Sequence, residues 1–151
     1  MHRIEESIDI AVSPEVAFDA ISDLPSMGRY SPENTGGRWT TGTGPAVGAR
    51  FKGTNAQGKQ EWSTTATVVA CDRPRRFAFE VTYAILKIAR WEFAITPTPD
   101  GCRVTESTTD QRGRLIKRFG AIEGIDDRAA YNAASMATTL AALKAHLEGG
   151  G

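Results

Sequence analysis

The chain has almost no material for the common metal and hydrolytic chemistries. Of its 151 residues only two are histidines, His2 and His146, both near the chain ends, and only two are cysteines, Cys71 and Cys102. It contains no CxxC, no HExxH and no Walker sequence, so a zinc site or a Ser-His-Asp triad has little to be built from, and no metal is expected. Excess charge is missing too: 18 basic side chains balance 18 acidic ones. That balance disfavours nucleic-acid binding through a general phosphate field. No apolar run approaches the roughly 18 residues that a membrane helix needs. The start, Met1-His2-Arg3-Ile4-Glu5-Glu6, is too charged to be the apolar core of a signal peptide. These absences together predict a cytoplasmic protein without stable membrane insertion, in which free thiols are the default. If Cys71 ends one strand and Cys102 begins another three places along, strand spacing puts them about 14 Å apart, too far to bridge.

What the chain does have is alternation. Phe77, Phe79, Val81 and Tyr83 alternate with Ala78, Glu80 and Thr82, and Ala89, Trp91, Phe93 and Ile95 alternate with Arg90, Glu92, Ala94 and Thr96. This period of two marks an antiparallel sheet with one face turned from water. The next stretch keeps the parity and changes the chemistry, because Cys102 and Val104 are followed on the same face by Glu106, Thr108 and Asp110. An apolar wall that ends in inward carboxylates predicts a ligand cavity. A chain of this length buries roughly 68 to 70% of its unfolded surface, so one domain, over residues 1–148, has room for a hollow core.

The elements follow in order. Ile4, Ile8 and Ile10 share a parity and predict a first strand over residues 3–11. Ser13-Pro14-Glu15 reads as an N-cap followed by proline at the first helical position, with Val16, Ala17, Ala20 and Ile21 as the apolar face of a short helix. Pro25 is read as an interruption, so that a second short helix covers residues 26–30. Strands are expected at 38–41, 49–54, 59–71, 75–84, 87–96 and 102–110, with hairpins closed by Asn55-Ala56-Gln57-Gly58, Asp72-Arg73-Pro74 and Thr98-Pro99-Asp100-Gly101. The dense glycines between Gly36 and Gly58 predict bends or bulges. A final helix over residues 126–147, capped by Asp126 or Asp127, carries Met136, Leu140, Leu143 and Leu147 at helical spacing. It would be about 33 Å long, enough to cross the sheet. Residues 149–151 read as a frayed glycine tail.

The sequence resembles the polyketide cyclase/dehydrase branch of the START-like, or SRPBCC, superfamily. The residues that carry the resemblance are Ile8-Asp9-Ile10-Ala11-Val12-Ser13-Pro14-Glu15-Val16-Ala17-Phe18, Tyr30-Ser31-Pro32-Glu33, Val47-Gly48-Ala49-Arg50-Phe51-Lys52-Gly53, Pro74-Arg75-Arg76-Phe77-Ala78-Phe79 and Gly101-Cys102-Arg103-Val104-Thr105-Glu106. The resemblance implies an α+β helix-grip fold, a seven-stranded curved antiparallel sheet wrapped around the long C-terminal helix, with two short helices after the first strand. It also implies a tunnel for lipids, polyketides, sterols or other apolar molecules. Tyr30 stands where relatives more often resemble Trp-Ser-Pro, which changes the polarity of one corner of the expected cavity.

Among candidate site residues Glu106 is the sharpest. Desolvated on the inner face, it either rises in pKa and serves as an acid or base, or forms a buried ion pair with an arginine such as Arg112 or Arg114. Thr108 and Asp110 are either a polar mouth that hydrogen-bonds a ligand carbonyl or hydroxyl, or, with Gln111-Arg112-Gly113, a solvated turn. Glu6 shares parity with Ile4 and Ile8 and is a further candidate for an inward carboxylate. Trp62, Phe77, Phe79, Tyr83, Trp91 and Phe93 are either cavity walls or plain core, and Tyr83 brings a hydroxyl near a strand end. Asn132, one turn before Met136 on the gripping face of the helix, is hydrogen-bonded to the sheet or offered to a ligand. Arg112, Arg114, Lys117 and Arg118 would steer an acidic ligand or form a solvated face.

The first reading is a protein that binds a small apolar or amphipathic molecule, lipid- or polyketide-like, between sheet and helix, and needs no cofactor. The second is a cyclase or dehydratase whose acid or base is Glu106 or Asp110, helped by Tyr83. The third is a protein-interaction module whose cavity is filled by its own side chains. Monomer and dimer are both open.

Overall fold

The computed structural model describes residues 3–31, 34–112 and 128–149. The basic side chains of Arg114, Lys117 and Arg118, the capping aspartates Asp126 and Asp127 and the last two glycines lie outside the described residues. Seven strands, β1 (Arg3–Ile10), β2 (Asn34–Thr41), β3 (Arg50–Gln57), β4 (Gln60–Asp72), β5 (Arg76–Tyr83), β6 (Leu86–Thr98) and β7 (Gly101–Asp110), form one antiparallel sheet in the order β1-β7-β6-β5-β4-β3-β2. Between β1 and β2 lie the helix α1 (Pro14–Ser22) and a 3-10 helix (Leu24–Arg29), and the long helix α2 spans Arg128–Gly149. The helix-grip architecture implied by the sequence is the one observed.

Local chemistry explains most boundaries. The Ser13 hydroxyl accepts a hydrogen bond from the Val16 N–H at 3.2 Å, and Pro14 follows in the first turn of α1, where its missing N–H costs nothing. Pro25 corrects one expectation: it does not interrupt but sits within the first turn of the 3-10 helix, which therefore starts at Leu24, two residues before the expected start. The hairpin between β3 and β4 is tighter than expected, because β3 continues through Asn55, Ala56 and Gln57 to pair with Gln60, leaving Gly58, at φ 62°, and Lys59 to turn the chain. Gly149, expected in the tail, is the last residue of α2.

Register carries the inward set across the sheet. The first strand closes onto the last, from Arg3 opposite Thr109 to Ile10 opposite Cys102. Irregular pairing between β2 and β3, and register shifts at Val68/Ala70 and Val81/Thr82, supply the curvature that lets a sheet wrap a helix. Helix α2 crosses the concave side diagonally. Near its start the Tyr131 hydroxyl donates to Gln57 Oε1 at the end of β3, and near its end Lys144 Nζ donates to the Asp9 carbonyl of β1 while the Ala11 N–H donates to Glu148 Oε2.

The core fills only one end of the concave face. There α1 sets Phe18 edge-on against Phe77, with ring centroids 6.1 Å apart, and Ile10, Ile95, Cys102 and Val104 pack around them, all buried. Both cysteines are free thiols. Gly101 opens β7 at the point where the chain following β1 passes closest: a Cβ there would meet the Ile10 carbonyl oxygen and lie 2.8 and 2.9 Å from the backbone N and O of Val12. Gly101→Ala is therefore expected to destabilise the protein by about 1 to 3 kcal/mol, read from the urea midpoint. A midpoint equal to that of the wild type would mean that the β1 end moves aside freely.

Candidate functional site

At the other end of the same strands no described residue fills the space. A hollow of about 700 Å³ lies between the concave sheet and the first half of α2. Strand alternation builds its walls: Trp62 and Ala66 from β4, Phe79, Val81 and Tyr83 from β5, and Ala89, Trp91 and Phe93 from β6. Direct pairing sets these side chains beside one another, Phe79 opposite Trp91 and Val81 opposite Ala89. Tyr83 stands at the rim, 47% exposed.

The structure brings most of the sequence-predicted residues into this one lining and leaves out Phe77, Met136, Tyr30 and Glu6. Phe77 does not line the hollow. It is fully buried under α1, because the alternation that turns it inward says nothing of which end of the strand the short helix covers. Met136 is buried as well and lies outside the lining, while Leu140 and Leu143 join the core by which α2 packs against the sheet, mainly at β1. The helix shows the hollow a different stripe, Asn132, Ser135 and Thr139, at spacings of three and four. Ser135 and Thr139 are not among the sequence candidates, although their spacing of three and seven from Asn132 was an available signal. The sequence reading also missed Phe51, whose parity with Ala49 was available as a signal, and Leu24 and Met27 of the 3-10 helix, which no local pattern announces. Tyr30 is not a cavity corner: it is buried against His146 of α2, with ring centroids 5.6 Å apart.

The polar end of the lining lies on β7. Glu106 pairs with Phe93 of β6 on one side and Glu6 of β1 on the other, and Thr108 pairs with Trp91 and Ile4. Glu6 thus shares the inner face and is half-buried, yet it does not reach the hollow. Glu106 and Thr108 are 5% and 4% exposed, and Glu106 Oε1 and Thr108 Oγ1 are buried without a hydrogen-bond partner among the described residues. Burial pushes the Glu106 carboxyl up from 4.5 to about 8, and no described residue forms an ion pair with it to hold it down. The expected ion pair of Glu106 with Arg112 does not form. Arg112 folds back on Asp110, its Nε donating to Oδ1 at 3.1 Å and its Nη2 to Oδ2 at 3.0 Å, because the turn after β7 puts the two side chains closer than any strand register could bring Arg112 to Glu106. Asp110 and Arg112 both border the hollow, so Asp110 is not merely a solvated turn residue. Asn132 borders it too, and its amide has no hydrogen bond to a described residue.

Chemically, the arrangement is an apolar, aromatic-walled space with a protonated carboxyl and a hydroxyl at one place and neutralised charges at another. Among the described residues no group of three or more His, Cys, Asp or Glu side chains is placed to hold a metal ion. No helix among them is long and apolar enough to cross a membrane.

Comparison with solved structures finds the same architecture. A polyketide-cyclase-like protein of Corynebacterium glutamicum shares 28% identity over 97% of this chain and 91% of its own, with a TM-score of 0.66. The major latex-like protein 151 of Panax ginseng is 14% identical over 96% of both chains, with a TM-score of 0.74. The di-domain ARO/CYC protein StfQ of the steffimycin biosynthetic pathway is 12% identical, with a TM-score of 0.75, this chain covering 49% of it. The last two likenesses concern the fold alone. No curated protein sequence matches this chain significantly. The model of the family described as polyketide cyclase/dehydrase and lipid transport matches residues 1–148, and the chain belongs to that family.

Proposed function

We propose that the protein binds a small apolar or amphipathic molecule, lipid- or polyketide-like, in the hollow between the sheet and α2. The observation that carries this reading is the hollow itself: about 700 Å³ walled by Trp62, Phe79, Trp91 and Phe93, within the size range of small-molecule sites. Its volume argues against a module filled by its own side chains. Affinity would come from apolar area removed from water, at about 25 cal/mol per Å², with Tyr83, Glu106 and Asn132 orienting the ligand. No cofactor enters this reading. It places the protein in the cytoplasm, where thiols such as Cys71 and Cys102 stay reduced.

A second reading of the same hollow is enzymatic. Glu106, protonated at neutral pH through its burial, has the form of a general acid held in an apolar site, as a cyclase or dehydratase requires. The family description, which joins cyclases and dehydrases to lipid transport, supports both readings.

The test is the binding of an environment-sensitive apolar dye by the wild type and by Trp91→Ala. The variant is expected to bind about five- to tenfold more weakly while keeping its circular dichroism, the effect of removing about 50 Å² of apolar contact. Equal affinity in the folded variant would remove the aromatic wall from the binding site.

A further inference from the structure

Burial, connectivity and hydrogen bonding set Glu106 and Thr108 apart from the rest of the lining. They are two residues apart on one face of β7, so their Cα atoms stand about 7 Å apart. Both side chains border the hollow, both are more than nine-tenths buried, and each has a buried oxygen with no partner among the described residues. Orphaned buried polar atoms of this kind are rare in folded proteins, and two on one wall of one cavity call for an explanation. Packing offers none, since Val or Leu at either place would fill the same volume without the cost of desolvating a polar group.

We infer that Glu106 and Thr108 form a two-donor clamp for one neutral oxygen acceptor, so that the ligand is an apolar molecule bearing a ketone or ester carbonyl at its inner end. This rests on the reading of the hollow as a binding site and adds the ligand's chemistry to it. A carbonyl oxygen has two lone pairs and accepts from two hydroxyl-type donors at once. The neighbours of the pair are Phe93 and Trp91 on β6, Ile4 opposite Thr108 on β1, and the half-buried Glu6 opposite Glu106, which does not reach the hollow; the side chains that border the hollow beside the pair are therefore apolar and favour a neutral group. A cationic amine would have to give up its hydration and ionise Glu106 in the same apolar place, and desolvating two charges costs more than a single buried pair usually returns. A carboxylate would face Glu106, with which no described cation is paired. Burial keeps the Glu106 proton in place to be donated.

The experiment uses the hydrocarbon dye diphenylhexatriene as reporter, displaced by 2-decanone or by decylamine, in the wild type, Thr108→Val and Glu106→Met. In the wild type the ketone is expected to displace the dye at a lower concentration than the amine. Each variant is expected to raise the ketone concentration needed by about three- to tenfold relative to the dye's own affinity, the loss of one hydrogen bond. Circular dichroism and a cooperative urea transition like those of the wild type show that the variants stay folded, and the ratio to each variant's own dye affinity cancels any change in dye binding. Stronger displacement by decylamine, or an unchanged ratio of ketone to dye affinity in both variants, overturns the clamp while leaving the hollow a binding site. Failure of the wild type to bind the dye or either competitor overturns the binding reading and the clamp with it.

Discussion

Phe77→Ala is expected to destabilise the protein by about 3 to 5 kcal/mol, the usual cost of emptying an aromatic position in a packed core. Phe77 is 0% exposed. Its ring meets Phe18 of α1 edge-on at 6.1 Å and Phe79 at 5.9 Å, and on either side it pairs with Phe93 of β6 and Cys71 of β4. These neighbours belong to three different strands and one helix, so they cannot close over the vacated space together. The measurement is a urea titration in which the midpoint falls and the slope is unchanged. The contrast with Trp91 makes the result diagnostic. Trp91 borders a space that is already open, so shortening it removes contacts from one side of the ring only, and its cost in stability should be clearly smaller. A loss below about 1 kcal/mol for Phe77→Ala would place Phe77 beside a void as well, contrary to its packing under α1.

The second large effect is a fall in stability as pH rises toward 8. Desolvation on folding raises the Glu106 carboxyl from its ordinary 4.5 to about 8. Between those values the folded protein holds a proton that the unfolded chain has released. Stability therefore drops with rising pH, by up to about 1.4 kcal/mol per unit. From pH 5 to pH 7 the loss attributable to this residue is about 2 to 3 kcal/mol, and it levels off above the folded value. The groups around it do not reverse the sign. Glu6 stands opposite on β1, and Asp110 is engaged by Arg112. Asp9, Asp19, Glu92 and Glu148 are held below the usual carboxylate range by Arg103, Arg73, Arg76 and Lys144. Their contribution is present at neutral pH and is lost only as pH falls through those lowered values, outside this window. Urea midpoints at pH 5, 6, 7 and 8 should slope downward in the wild type, and in Glu106→Gln this part of the slope should vanish. Parallel profiles for the two proteins would mean that Glu106 is ionised and hydrated in the folded state.

The inward placement of Glu106 illustrates what was legible in the chain. Its parity with Val104 puts it on the concave face, and the pairing of Phe93 with Glu106 and of Trp91 with Thr108 extends the same parity to the next strand. The N-cap at Ser13, the succession of strands along the chain and the apolar stripe with Leu140 and Leu143 were likewise readable, each from a pattern a few residues long. Arg112 was not. Its two chemically equivalent partners, Glu106 and Asp110, lie on the same face, and the turn after β7 decides between them by distance.

By itself the sequence determined which residues look inward, because the period of a strand or a helix is a property of the local backbone and survives whatever packs on it. The tertiary structure alone decided which inward residues are core and which are wall. Phe77 and Phe79 lie on one strand with one parity, yet Phe77 is sealed by Phe18 while Phe79 borders the hollow. On α2 the apolar stripe went to the sheet, and Asn132, Ser135 and Thr139 were left facing the space. Those outcomes depend on where α1 ends along the strands and at what angle α2 crosses them. Both are set by shape complementarity between residues far apart in the chain, which no local periodicity encodes.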